Sequence, residues 1–210
     1  MFAILECQNT ECRFRFSVDL TAKHPTLCPT CKSRLSEVEA RFESYKVQRQ
    51  ASTSTSPHVE VMLDNIRSTF NVGAMFRSCD GAQVSHVHLC GTTPTPDHPK
   101  IKKTGLGAEY NVPWSYYRNG KVAVEQLKNN GYQVWCLEGG PNAIPIFNCQ
   151  PILPSQKILL VVGNEVTGID PGIINLSDKV VFLPMLGTKE SLNVAIAFGI
   201  AVYFLRFNLS

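Results

Sequence analysis

The chain has 210 residues, 44% of them hydrophobic and 18% charged, with a formal net charge of +3. This composition can bury a core and excludes a disordered chain, while so small a positive balance permits nucleic-acid binding without requiring it. The longest uncharged apolar run, Ser191 to Leu205, has 15 residues, short of the ~20 that span a bilayer. The start MFAILECQNTEC has neither a basic n-region nor a cleavage site, so a cytoplasmic protein without a membrane partner is expected.

Residues 1–36 read as a unit of their own. Their apolar side chains are few (Phe2, Ile4, Leu5, Phe14, Phe16, Val18, Leu20, Leu27), and so short a segment needs a staple to fold. Cys7, Cys12, Cys28 and Cys31 are placed to supply one. They form a Cys-x4-Cys pair and a Cys-x2-Cys turn, and between them FRFSVDL alternates like a strand of a zinc ribbon. Four thiolates suit tetrahedral Zn²⁺. The competing readings are four free buried thiols, or a redox pair at Cys28 and Cys31 that lacks a thioredoxin-like setting. His24 is either an alternate ligand or a surface side chain. Arg13, Arg15, Lys23, Lys32 and Arg34 are either phosphate contacts or an ordinary solvated surface. Cys79, Cys90, Cys136 and Cys149 read as small buried hydrophobes.

Residues 37–49 (EVEARFESYKVQR) are charged and helix-permissive, and 50–57 (QASTSTSP) make a Ser/Thr-rich linker. The segment 37–57 is therefore expected to be a helical piece plus linker, with the larger domain spanning 58–210. There the pattern alternates. VEVMLD (59–64) reads as a strand, Val72–Gly81 as a helix capped by Asn71, and SHVHLCG (85–91) as a strand. Residues 92–119 read as a long irregular stretch. Lys121–Asn129 is a helix stopped by Asn130-Gly131. QVWCLEG (133–139), KILLVVG (157–163) and KVVFLP (179–184) are strands, a short helix starts at Pro171, and Ser191–Phe207 is the last helix, with Ser191 as its cap. The fold class is α/β, a mostly parallel sheet covered on both faces.

Several chemistries lack their motifs: no G-x-G-x-x-G follows a strand, and there is no P-loop, no G-x-S-x-G and no metal spacing among the histidines. What remains are turns after strands, at the sheet edge where open α/β proteins bind ligands. These are Leu137-Glu138-Gly139, Gly163-Asn164-Glu165 and Leu183-Pro184-Met185-Leu186-Gly187. Asn193 is an odd residue to find inside an apolar helix. One flank of that helix is small: Ala195, Ala197, Gly199 and Ala201.

Three segments occur in order: Asn65 to Arg77 (NIRSTFNVGAMFR), GNEVTGID from Gly163, and LPMLGTKESLNVAIAFGIAVY from Leu183 to Tyr203. Together they resemble the SpoU (TrmH-like) branch of the SPOUT RNA methyltransferases, over roughly Val59 to the C-terminus. The resemblance implies a C-terminal trefoil knot, S-adenosylmethionine as cofactor, a homodimer with the site assembled across two subunits, and methyl transfer to a ribose 2′-hydroxyl of tRNA or rRNA. It carries catalytic roles onto Arg77, Asn71, Glu165, Ser191 and Asn193. It carries cofactor contacts onto Leu137, Glu138, Gly139, Gly163, Asn164, Gly168, Leu183, Met185, Ser191, Leu192 and Ala195. Arg77 is then either the base or a group that grips phosphate and ribose, since a guanidinium stays protonated. Glu165 either orients Arg77 or Asn71 or helps manage the proton. A cysteine-rich ribbon departs from the family pattern. The alternatives are a non-catalytic RNA-binding protein on a degenerate fold and a base methyltransferase; the retained motif residues argue against both. Between Thr93 and Asn119, Lys100, Lys102 and Lys103 accompany Trp114, Tyr116 and Tyr117, either as an RNA contact surface or with the aromatics packed on the domain.

Overall fold

A computed structural model describes residues 1–44 and 57–208. The chain separates into two compact units, Met1–Ala51 and Ser52–Ser210.

In the smaller unit β1 (Phe2–Cys7) pairs antiparallel with β2 (Arg15–Asp19) on one side and β3 (Leu35–Glu37) on the other. Its buried core is Ala3, Leu5 and Val18, with Phe16, Leu20 and Leu35 against it, too little apolar surface to offset the entropy of ordering the chain. The helix expected from residue 37 does not form in the described part. Glu37 belongs to β3, and Phe42 exchanges both backbone hydrogen bonds with Phe2 while their rings lie 5.8 Å apart. A second strand partner and an aromatic contact outweigh the i,i+4 pair Glu37–Arg41, which forms at 3.0 Å without a helix. The rest of that segment and the linker through residue 56 lie outside the described residues.

The larger unit is a seven-stranded sheet in the order β6-β5-β4-β9-β7-β10-β8, with every described pair parallel. The strands are β4 (His58–Asp64), β5 (His86–Cys90), β6 (Trp114–Tyr117), β7 (Gln133–Leu137), β8 (Ile144–Pro145), β9 (Lys157–Val162) and β10 (Lys179–Phe182). In β9 all five residues after Lys157 are buried, as a central parallel strand requires. One face is covered by α1 (Thr69–Gly81) and α6 (Val194–Phe207), whose Val72, Met75, Phe76, Phe198 and Leu205 join Val61, Leu63 and Leu160 in one core layer. The other carries α4 (Gly120–Asn129) and α5 (Pro171–Ile174), with Val124, Leu127 and Ile173 against Met62, Leu159 and Val161.

Residues 92–119 are more regular than their composition predicts. They contain α2 (Lys102–Gly105), α3 (Ala108–Asn111) and β6, which pairs with β5. Trp114 and Tyr117 are accordingly packed against the two core layers. Two helix starts also move. α1 begins at Thr69 because the Ser68 hydroxyl accepts the Asn71 amide, which puts Asn71 inside the first turn instead of at the cap. α6 begins at Val194, capped by Asn193, and Ser191 stays in the preceding loop.

Candidate active site

The carboxyl ends of β7, β9 and β10 open onto a cleft of about 590 Å³. Its walls include Leu137, Glu138, Gly139, Gly163, Asn164, Gly168, Leu183, Met185, Ser191 and Leu192, all anticipated from sequence. Ala195 is the exception. It turns into the core layer beside α1, and Val194 and Ala197 face the cleft in its place. Glu165, Asn193, Val166, Phe182 and Glu190 complete the lining.

Tight backbone closure shapes the central wall. Asn164 and Gly168 exchange backbone hydrogen bonds at 3.0 Å, and the Asn164 side chain accepts the amides of Val166 and Thr167 while donating to the Asn65 carbonyl at 2.8 Å. A β-carbon on Gly163 would collide with the Gly168 carbonyl and the Ile169 nitrogen. Gly168 has φ +73°, and a β-carbon there would meet the Glu138 carboxylate. Both positions require glycine. Glu138 accepts the Ile169 amide at 3.1 Å, tying the β7 turn to this loop.

At the mouth a polar chain joins three distant segments. Glu165 accepts the amides of Arg67 (2.9 Å) and Ser68 (3.1 Å) and the Asn71 side chain (2.9 Å). The Asn71 oxygen accepts from the Asn193 side-chain nitrogen at 3.2 Å, and the Asn193 oxygen accepts the amides of Ala195 and Ile196 at the start of α6. Burial opposes ionisation of Glu165, but the hydrogen bonds from Arg67, Asn71 and Ser68 outweigh it and hold the carboxyl below its usual range. The ionised carboxylate is acceptor-only, which fixes the sense of both amides behind it. Glu165 therefore orients Asn71, and among the described residues no hydrogen bond or ion pair joins it to Arg77. Arg77 is exposed on α1, with no hydrogen bond or ion pair among the described residues. It does not line the cleft. Ser191 lines it without a side-chain hydrogen bond among the described residues. The sequence reading missed Ser68 and the Arg67 and Ser68 amides. A Ser three residues before an amide-bearing Asn, just ahead of an apolar periodic run, is a cap signal that could have found them.

In the smaller unit the sulfurs of Cys7, Cys12, Cys28 and Cys31 all lie within 4.8 Å of one another. Cys7–Cys31 is 3.3 Å and Cys12–Cys28 is 3.8 Å. A Zn–S bond of ~2.3 Å gives a tetrahedral edge of roughly 3.8 Å, so the cage has the right size for Zn²⁺. Arg13 and Lys32, each following a cysteine, have φ 47° and 62°, the sharp turns that swing paired sulfurs to one side. Hydrogen bonds from the Ser33 hydroxyl and amide pull the Cys31 thiol down to about 6, toward the thiolate a metal needs. Arg15 pairs with Glu6 and Glu39, Arg13 with Glu6, and Lys32 donates to the Pro29 carbonyl. Among the described residues that leaves Lys23 and Arg34 as the unit's unpaired candidates for phosphate.

A parallel α/β sheet with a glycine-locked cleft at its carboxyl edge has its opening where open α/β proteins bind ligands. Residues 58–203 match the SpoU rRNA Methylase family, and the chain belongs to that family. It is 32% identical over 148 residues to the 23S rRNA (guanosine(2553)-2′-O)-methyltransferase RlmP of Bacillus subtilis, a match covering 70% of this chain and 57% of that protein. It is 29% identical over 149 residues to the tRNA (guanosine(18)-2′-O)-methyltransferase of Aquifex aeolicus, covering 68% of this chain and 66% of the relative. The alignments thus span somewhat over half to two thirds of these relatives' lengths. Among solved structures the AdoMet-bound rRNA methyltransferase of Sinorhizobium meliloti shares the fold, with a TM-score of 0.68, 24% identity, and coverage of 74% of this chain and 58% of that one. Among the described residues no helix is long and apolar enough to cross a membrane.

Proposed function

We propose that the larger unit is an S-adenosylmethionine-dependent methyltransferase acting on a ribose 2′-hydroxyl of structured RNA, tRNA or rRNA. The observation that carries this reading is the Glu165–Asn71–Asn193 chain at the mouth of the cleft. It spends three motif residues on holding one amide beside the ligand, which a purely structural sheet edge does not need. S-adenosylmethionine supplies an electrophilic methyl group on its sulfonium. Leu183, Met185 and Leu192 offer apolar faces for the adenine, the turns at 137–139 and 163–168 offer backbone groups for its edge, and Glu138 and Glu190 offer carboxylates for its cationic end. Glu165 stays ionised with its oxygens occupied, so it positions Asn71 and does not carry the proton. Arg77, exposed and unpaired among the described residues, grips the RNA phosphate and ribose and aligns the attacking hydroxyl, whose proton leaves to the RNA phosphate or solvent.

The other assignments follow the same reading. The segment from β10 through Asn193 into α6 forms the trefoil knot. Ile196, Ile200, Tyr203 and Phe207 are exposed at i, i+4, i+7 and i+11 on α6, a self-complementary stripe for a homodimer. Residues 1–36, extended by the Phe42 bridge, form a zinc-ribbon-like module holding one structural Zn²⁺ at Cys7, Cys12, Cys28 and Cys31. No disulfide joins the eight cysteines, four of them assigned here to zinc, which suits the cytoplasm.

The test is Arg77. Arg77→Ala loses methyl transfer while S-adenosylmethionine affinity, measured by calorimetry, stays near wild type. Arg77→Lys, which keeps charge without the planar fork, is nearly as poor at every pH. Recovery of Arg77→Lys activity with rising pH would make residue 77 the base. Near wild-type turnover in Arg77→Ala would remove it from the mechanism.

A further inference from the structure

We propose that the corner between α2 and α3 is a stacking platform for an unpaired RNA base adjoining the methylated nucleotide, an inference that rests on the methyl-transfer reading above. Tyr110 is 67% exposed, and the Lys102 ammonium sits 5.5 Å from its ring centroid. Leu106, at the end of α2, is 66% exposed and held at φ 52°, a left-handed conformation that leucine rarely adopts. A buried carboxylate holds it there. Glu109 accepts the Gly107 amide at 3.0 Å through one oxygen, and its other oxygen is buried without a partner. Fixing a surface turn with a strained leucine and a half-satisfied buried carboxylate costs stability, and such strain collects where geometry serves a ligand.

The corner is joined to the active-site helix. Thr104 donates to the Phe70 carbonyl at 3.0 Å. Gly73 presses so closely on Ile101, Thr104 and Gly105 that a β-carbon would collide. Arg77 lies one turn beyond Gly73 on the same face of α1, and exposed Phe70 lies one turn before it. On the adjoining face, Asn71 leads into the cleft. The face of α1 that meets α2 thus carries exposed Phe70 and Arg77 on either side of the Gly73 contact, and the adjoining face leads through Asn71 to the cleft. Between residues 100 and 111 the exposed charges are Lys100, Lys102 and Lys103, and Glu109, the single carboxylate, is buried. An exposed tyrosine ring with the Lys102 ammonium against it, and two further exposed lysines close by in sequence, match a phosphate next to an unstacked base. A duplex interior offers no free base face to Tyr110, so the partner is a loop or single strand.

The experiment measures a short oligoadenylate and the same strand annealed to oligouridylate against wild type, Tyr110→Ala and Tyr110→Trp, all full-length. Tyr110→Ala is expected to weaken single-strand binding roughly five- to a hundredfold, the range of one base–aromatic stack, with duplex binding and S-adenosylmethionine affinity unchanged. In Tyr110→Trp, emission is expected to quench on adding the single strand by more than the wild-type signal does. Single-strand affinity unchanged in Tyr110→Ala, or no added quenching in Tyr110→Trp, overturns the platform; a protein-docking surface would give that pattern. The two readings fail separately. Wild-type protein that transfers no methyl group to RNA while Tyr110→Trp still quenches sinks the activity and leaves the platform. Full activity of Tyr110→Ala at subsaturating RNA sinks the platform alone.

Discussion

Replacing Asn193 separates two jobs that one side chain performs. Its oxygen caps α6 by accepting the Ala195 and Ile196 amides, and its nitrogen holds Asn71. In Asn193→Ala the cap loss costs about 1 kcal/mol, and the lost amide pair about 0.5–1 kcal/mol, because the site is exposed. Phe198, Ala201, Val202 and Leu205 remain buried, so the helix stays docked. A sum of roughly 2 kcal/mol lowers the melting temperature of a unit this size by about 4–8 °C. Asn193→Asp keeps the acceptor and gains a favourable interaction with the helix N-terminus, so it melts near wild type. It cannot donate to the Asn71 oxygen, and a flipped Asn71 would turn its oxygen toward the ionised Glu165. Asn193→Asp is therefore stable and at least tenfold slower in methyl transfer. Calorimetric unfolding alongside a labelled-methyl assay tests both halves. An aspartate variant with wild-type turnover would refute the positioning role, and an alanine variant that melts with wild type would refute the capping role.

Gly163→Ala drives a β-carbon into the Gly168 carbonyl; it should cost about 1–3 kcal/mol and lower S-adenosylmethionine affinity at least tenfold, while Gly139→Ala, whose β-carbon meets nothing, leaves the fold intact. Calorimetric titration of both variants checks this. Burial raises the Glu60 carboxyl, but hydrogen bonds from His88, Tyr132 and His58 overcome that and bring it to about 2. With the folded value below the unfolded ~4.3, its stabilisation is complete above that value and is lost as pH falls toward 2. Glu60→Gln should lose on the order of 3 kcal/mol in urea unfolding at neutral pH, with the gap closing in acid; an equal gap at both pH values contradicts the assignment. Purified protein should carry one zinc per chain, and a chelator or Cys28→Ser should unfold residues 1–44 while cofactor affinity persists; a metal-free yet folded module would rule the zinc out. Ile200→Glu puts charge into the α6 stripe and should yield a monomer by light scattering, whereas an unchanged dimer would move the interface elsewhere.

Strands and most helices were legible because their signals are local. After Lys157, ILLVV is all β-branched residues or leucine, and Asn130-Gly131 stops α4 with Gly131 at φ +86°. The cleft turns were legible because each follows a strand. The segment 92–119 was not, since α2 and α3 have four residues each and β6 exists only as an addition to β5. Asn193 looked anomalous because the helix was begun too early; as the cap it is the expected residue. The role of Glu165 as a clamp on the start of α1 depends on segments almost a hundred positions apart and leaves no local trace.

The strand order also dictates how the chain is assembled as it is synthesised. β4, β5 and β6 are consecutive in sequence and adjacent in the sheet, so they can pair early. β9, which must lie between β4 and β7, is made only after both. Until then Val59, Val61 and Leu63 line an open sheet edge whose backbone groups have no partner. Late insertion of a central parallel strand is intrinsically slow, and an open apolar edge invites pairing with other chains. The emerging polypeptide thus has its greatest need of chaperone cover between the synthesis of β4 and that of β9, before the cleft walls from Gly163 onward are made.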